Sequence, residues 1–183
     1  MSKKWKVILL LFFSIIVILL SITAVLKMNT KKHSPIDTIS FNEHGLNIKM
    51  VYCRPYKNGR LIFGKAEDAA LQPFGQYWRM GANDATTFEV NKDVTFAGKP
   101  LKAGKYSIYA IPGEKAWEIA INKNANHWGK NEPNHDNDVL VSTVPVTYSD
   151  QIIEQFIIEF SPIEGGAEVV LKWDTSVVRI AIK

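Results

Sequence analysis

The stretch QYWRMGANDATTFEV, residues 76–90, concentrates more chemical variety than any other part of the chain. It sets Arg79 beside Trp78, follows with a Gly-Ala-Asn-Asp turn signal that contains Asn83, and leads from Thr86 into an alternating strand pattern. Beyond residue 33 the arginines are Arg54, Arg60, Arg79 and Arg179, and the first three fall within residues 54–79, among Tyr52, Tyr56, Phe63 and Trp78. A guanidinium is a planar fork that binds carboxylate, phosphate or sulfate through two hydrogen bonds and stacks on aromatic faces. Arg54, Arg60, Trp78, Arg79, Asn83 and Thr86 are therefore the candidate ligand-binding set, for an anionic or polar small ligand. The competing reading is structural: arginines of a small β-domain form surface ion pairs or lie over a tryptophan, and Trp78 belongs to the core.

Other chemistries find less support. The segment 124–138 carries His127 and His135 among several oxygen donors. Its spacing fits neither a zinc pair on a helix nor a twelve-residue calcium loop, so it reads as a solvated polar loop, with no metal and no cofactor expected. There is no Gly-x-Ser-x-Gly elbow and no glycine-rich phosphate cradle before a helix. Cys53 is the single cysteine, which excludes an intrachain disulfide and suits a small buried hydrophobe. Glu89 and Glu118 fall at outward strand positions, where solvation is expected. Whether the protein is an enzyme is left open. A shifted pKa at Asp84, Glu89 or His127 inside a pocket would point to a hydrolase.

The elements that must position these residues are mostly strands. Leu46, Ile48, Met50 and Tyr52 alternate with polar or smaller neighbours after a Glu43-His44-Gly45 turn, and Thr86, Phe88 and Val90 do the same. Tyr106, Ile108 and Ala110 lead through Pro112-Gly113 into Trp117, Ile119 and Ile121. Further runs cover 139–146, 156–160, 167–173 and 178–182, the last two separated by a turn signal at Asp174-Thr175-Ser176. In the segment 99–105, Gly104 is expected to adopt positive φ before its strand. Eight or so short strands divided by Gly, Pro, Asn and Asp turns predict an all-β fold, an antiparallel sandwich or barrel-like domain.

Residues 7–26 form an uncharged apolar run of a length that matches the ~30 Å hydrocarbon core of a bilayer. With Trp5 at its edge and no Ala-x-Ala-like site behind it, a retained transmembrane anchor is favoured over a cleaved signal peptide. The predicted organisation is a short tail (1–6), the anchor (7–26), a linker (27–37) and a β-domain (38–183). The short tail favours a single-pass protein whose domain lies on the non-cytoplasmic side. Of the 22 basic side chains, six lie in residues 1–32, which hold no acid, a net of +6; the other 16 face 18 acids, a net of −2. The basic excess thus belongs to the flanks of the apolar run, and no nucleic-acid footprint remains. Oligomeric state is not legible.

The order of Tyr52-Cys53-Arg54-Pro55, Gly59-Arg60, Phe63-Gly64, Trp78-Arg79-Met80-Gly81-Ala82-Asn83 and Ala85-Thr86 resembles the bacterial family DUF2911, a domain of unknown function. Leu101, Ala103-Gly104-Lys105-Tyr106, Ile111-Pro112-Gly113, Asn122-Lys123, Trp128-Gly129 and Leu171 with Trp173 extend the likeness over most of residues 38–183. Two departures stand out: Cys53 replaces a serine, removing a hydroxyl, and the segment after Gly129 lacks a tyrosine-containing motif before Asp138-Val139-Leu140. The resemblance implies an envelope-associated β-rich domain and a signature including Arg54, Arg60, Trp78, Arg79, Gly81, Asn83 and Thr86. It implies no reaction. The expected function is ligand or partner binding in the cell envelope, with an envelope hydrolase or a structural and assembly role as alternatives.

Overall fold

A computed structural model describes the chain from Lys3 to Lys183, the side chains of residues 3, 6, 7 and 24–31 excepted. It divides into two units, residues 1–33 and 34–183. The first is one helix, α1 (Lys3–His33), so the segment 27–37 is helical up to His33 and enters a strand at Ile36. Trp5 and the apolar side chains described within residues 8–23 are exposed. Ser14 and Ser21 turn their hydroxyls back onto the carbonyls of Leu10 and Val17. Among the described residues no helix is long and apolar enough to cross a membrane. The ends of the expected span, Val7 and residues 24–26, lie outside the described side chains.

The second unit is antiparallel β-sheet. Its strands are β1 (Ile36–Glu43), β2 (Leu46–Cys53), β3 (Phe63–Gly64), β4 (Gln72–Pro73), β5 (Thr87–Val90), β6 (Val94–Phe96), β7 (Lys99–Leu101), β8 (Gly104–Ile111), β9 (Ala116–Asn122), β10 (Asp138–Ile163) and β11 (Gly166–Ile182). Nine of them form one sheet in the order β1-β2-β5-β8-β9-β10-β11-β6-β7, while β3 and β4 make a small parallel pair. β10 pairs with β9 through Pro145 and with β11 from Val146 onward, so a single long strand serves both layers. The sheet curls over the core without closing, a sandwich-like arrangement and not a barrel. Tyr52 helps to hold the curl: its hydroxyl donates to the Ile158 carbonyl at 3.2 Å and accepts from the Ile158 N–H at 2.9 Å.

The predicted alternation decides which face is buried. Leu46, Ile48, Met50 and Tyr52, then Phe88 and Val90, Ile108 and Ala110, and Trp117, Ile119 and Ile121 all enter one core. Turn chemistry fixes the registers. His44 (φ 49) and Gly45 (φ 75) make the two-residue link between Glu43 and Leu46, with positive φ at both central positions.

Three expectations are corrected. The runs at 139–146 and 156–160 are one strand, β10. The predicted turn at Asp174 lies inside the continuous strand β11: Asp174 takes φ 55, which short polar side chains tolerate, and it stands opposite a bulged stretch of β10, where Tyr148, Ile153 and Ile157 pair with Ser176, Asp174 and Lys172. Gly104 opens β8 without left-handed φ; it is small because the Tyr106 ring lies over it, 2.9 Å from where a Cβ would stand.

Candidate functional site

The turn that leads into β5 is anchored by Trp78. Its N–H and C=O exchange two 2.8 Å hydrogen bonds with Ala110 on β8, and its indole is buried in the core, stacked on Trp173 and edge-on to Phe63, Trp117 and Phe156. The indole N–H donates to the Gly81 carbonyl at 3.3 Å, and the Thr86 hydroxyl donates to the Met80 carbonyl at 2.7 Å. Between these ties the backbone is unusual: Met80 (φ 52), Gly81 (φ 147) and Asn83 (φ 60) all take positive φ. Such backbone costs energy and recurs where a structure holds groups for a purpose. Trp78 and Thr86 thus hold the turn from within, while Tyr77 and Arg79 flank the buried indole.

The three neighbouring arginines do not share one set of partners. Arg54 bonds Asp37 at 3.2 Å and the Phe156 carbonyl at 3.3 Å. Arg60 folds back on its own loop, donating to the carbonyls of Lys57 and Tyr56. Arg79 differs. Among the described residues no carboxylate pairs with it, its Nε is buried without a protein partner, and burial pulls its pKa below the ordinary arginine value, with Tyr77 and Cys53 as smaller opposing influences. An unpaired, desolvated guanidinium is costly unless something anionic completes it.

What surrounds Arg79 follows from strand alternation. Ile108 and Ile121 face each other in the core, so Ser107, Tyr109, Ala120 and Asn122 occupy the opposite face of β8 and β9. These outward positions are nevertheless buried. The segment between β9 and β10 covers them, and that segment is fastened to the Arg79 turn by backbone. The Gly129 N–H donates to the Asn83 carbonyl at 3.1 Å, and the Ala85 N–H donates to the His127 carbonyl at 3.3 Å. The two bonds bracket Asp84 and Trp128, which point outward, and leave Asn83, Ala85 and Gly129 buried with His127 half-buried. Gly129 must be glycine, because a Cβ there would lie 2.5 Å from Arg79 Cδ and 2.8 Å from the Ala85 nitrogen. Its carbonyl accepts from the Tyr77 hydroxyl at 3.0 Å. Burial raises the Tyr77 phenol to about 12, which keeps it a donor.

The far end of the covering segment is held by a polar network. The Tyr109 hydroxyl donates to Asp138 Oδ2 at 2.6 Å and lies 2.7 Å from His135 Nδ1; burial first, and this bond second, raise its pKa. His135 reaches Asp138 through Nδ1 and Glu132 through Nε2, both at 3.1 Å, and these bonds raise its pKa. Asn122 donates to Asp138 Oδ1 and the Asn134 carbonyl.

Four buried polar atoms on this covered face and in the turn and segment above it have no protein partner: Arg79 Nε, Asn83 Nδ2, Ser107 Oγ and His127 Nε2. Native structures leave few such groups, so a cluster of them marks a candidate site. Among the described residues no group of His, Cys, Asp and Glu could hold a metal. Two surface clefts, of about 250 and 310 Å3, share no residue with this cluster. The segment 124–138 is mostly exposed, as its composition predicts, and it brings the half-buried His127 and the buried Gly129 to the Arg79 turn. The signal for this lay in β8 and β9, where the paired outward positions Ser107 with Asn122 and Tyr109 with Ala120 carry no charge, and Lys105 and Glu118 stand to either side of them. A strand face that lacks charge at its centre is a covered face.

Fold and site together define a small antiparallel β-domain that carries an arginine-centred polar cluster on the outer face of its sheet, beneath a fastened loop. The chain belongs to the DUF2911 family, described as a protein of unknown function, whose model matches residues 34–182. Comparison with the curated proteins and with the solved structures returns no match.

Proposed function

We propose that this protein is a membrane-tethered domain of the bacterial cell envelope that binds a small anionic or polar ligand at Arg79, Asn83 and His127. One observation carries the binding reading: a buried guanidinium nitrogen without a carboxylate partner stands in a turn whose Asn83 also offers an unsatisfied amide donor. An oxyanion supplies what both lack. Arg54 and Arg60 are left outside this reading because each commits its Nε and one terminal nitrogen to protein partners. The tether rests on α1, whose exposed apolar side chains require a covering and whose serines bond to their own backbone, the arrangement that hides hydroxyls in lipid.

The test is thermal denaturation of the full chain with acetate, phosphate and sulfate in turn. At least one raises the midpoint of the wild type and leaves Arg79→Met unmoved; no response to any of the three refutes the reading. Cell fractionation before and after removal of residues 1–33 tests the tether, with release from the membrane expected.

A further inference from the structure

The polarity of the site narrows its ligand beyond "oxyanion", and this step rests on the binding reading above. His127 Nδ1 lies 3.1 Å from the backbone carbonyl of Asn124. A carbonyl only accepts, so Nδ1 carries the proton, and in the neutral ring Nε2 is an acceptor. That Nε2 is buried and has no protein partner. Arg79 Nε and Asn83 Nδ2 can only donate. Two backbone bonds bring the groups into one neighbourhood, since Asn83 accepts from Gly129 and His127 from Ala85, and Gly129 packs on the Arg79 side chain. A bare carboxylate would satisfy the two donors while turning an oxygen lone pair towards the lone pair of Nε2. A hydroxyl beside the carboxylate removes the conflict, because its proton is what Nε2 lacks.

We infer that the ligand is a hydroxy acid, its carboxylate held by Arg79 and Asn83 and its neighbouring hydroxyl donating to His127 Nε2. Every partnerless atom of the three residues is then engaged, and the histidine is a specificity-determining residue. A site built to hydrogen-bond a hydroxyl discriminates strongly against the analogue without it, because the site's own polar group is left unpaired.

The experiment titrates the 15N-labelled full chain, kept in detergent, with acetate and with glycolate, following the Arg79 Nε–H resonance. Glycolate is expected to bind at least about tenfold more tightly than acetate. His127→Leu abolishes that preference while acetate still binds; His127→Gln, whose amide oxygen accepts, retains it and guards against a folding defect. Equal affinities in the wild type, or a preference that survives His127→Leu, overturn the inference and leave the oxyanion reading standing. If neither acid moves the Arg79 resonance, both readings fall. Glucuronate distinguishes the source: binding as tight as that of glycolate marks a sugar acid, and weaker binding marks a short free acid.

Discussion

Gly81 stands against the carbonyl oxygen of Cys53, and a Cβ added to it would come within 2.7 Å of that atom. With φ 147 the position is also one that side chains avoid. The close approach ties the Arg79 turn to the end of β2. Gly81→Ala is therefore expected to destabilise the domain by about 3 kcal/mol, the sum of strained backbone and a clash with main chain. Chemical denaturation measures this, and a wild-type midpoint would show that the turn relaxes without cost.

Arg79 sets a contrast between stability and binding. A desolvated charge without a partner opposes folding, so Arg79→Met is expected to leave stability unchanged or raise it by about 1 kcal/mol. The same variant loses its response to oxyanions. Loss of stability on the scale of a broken buried ion pair would mean that the guanidinium is a structural strut.

Lys57 and Asp174 form a half-sheltered ion pair at 2.6 Å, with side chains 16% and 13% exposed. The lysine also donates to the Arg60 carbonyl, so it joins the loop after β2 to Asp174 within β11. Lys57→Met leaves the Asp174 carboxylate uncompensated and is expected to cost about 2–3 kcal/mol. Asp174→Asn keeps a side chain that suits positive φ and is expected to cost less. Equal losses from the two would contradict this assignment.

The covering segment should respond to pH through His135. Bonds to Asp138 and then Glu132 hold its pKa above the ordinary 6.5. Its folded value is raised, so its contribution is full below 6.5 and is lost as pH climbs through the folded value. Wild type is expected to exceed His135→Gln in thermal midpoint at about pH 5.5 and to converge with it by about pH 8.5. A gap that widens with pH would reverse the sign and refute the assignment.

Much of the fold was legible because the core-facing residues of the strands recur at every second position. Period-two patterns at 46–52, 86–90, 106–110 and 117–121 state that directly. The long strands were harder. At Asp174-Thr175-Ser176 polar residues look like a turn from the sequence, yet Lys57, more than a hundred residues away in the chain, neutralises the aspartate and lets β11 continue. The site was half legible. Arg79 and Asn83 stood out by type and spacing, whereas Arg54 and Arg60 resembled them in type and differed only in having partners, a tertiary fact. His127 was obscured because polar residues on either side of it suggested solvent. Its burial depends on two backbone bonds that no side-chain pattern encodes.

Those two bonds, from Gly129 to Asn83 and from Ala85 to His127, involve main chain alone. Apart from Gly129, whose lack of a side chain is required, the fastening is indifferent to which amino acids flank it. Lys130 and Asn131, both exposed, thus have wide mutational latitude at this attachment, whereas the far end of the segment depends on the side chains of Glu132, Asn134 and His135. One end of the segment is fixed by backbone and the other by side chains, so substitutions reach the second and leave the first in place.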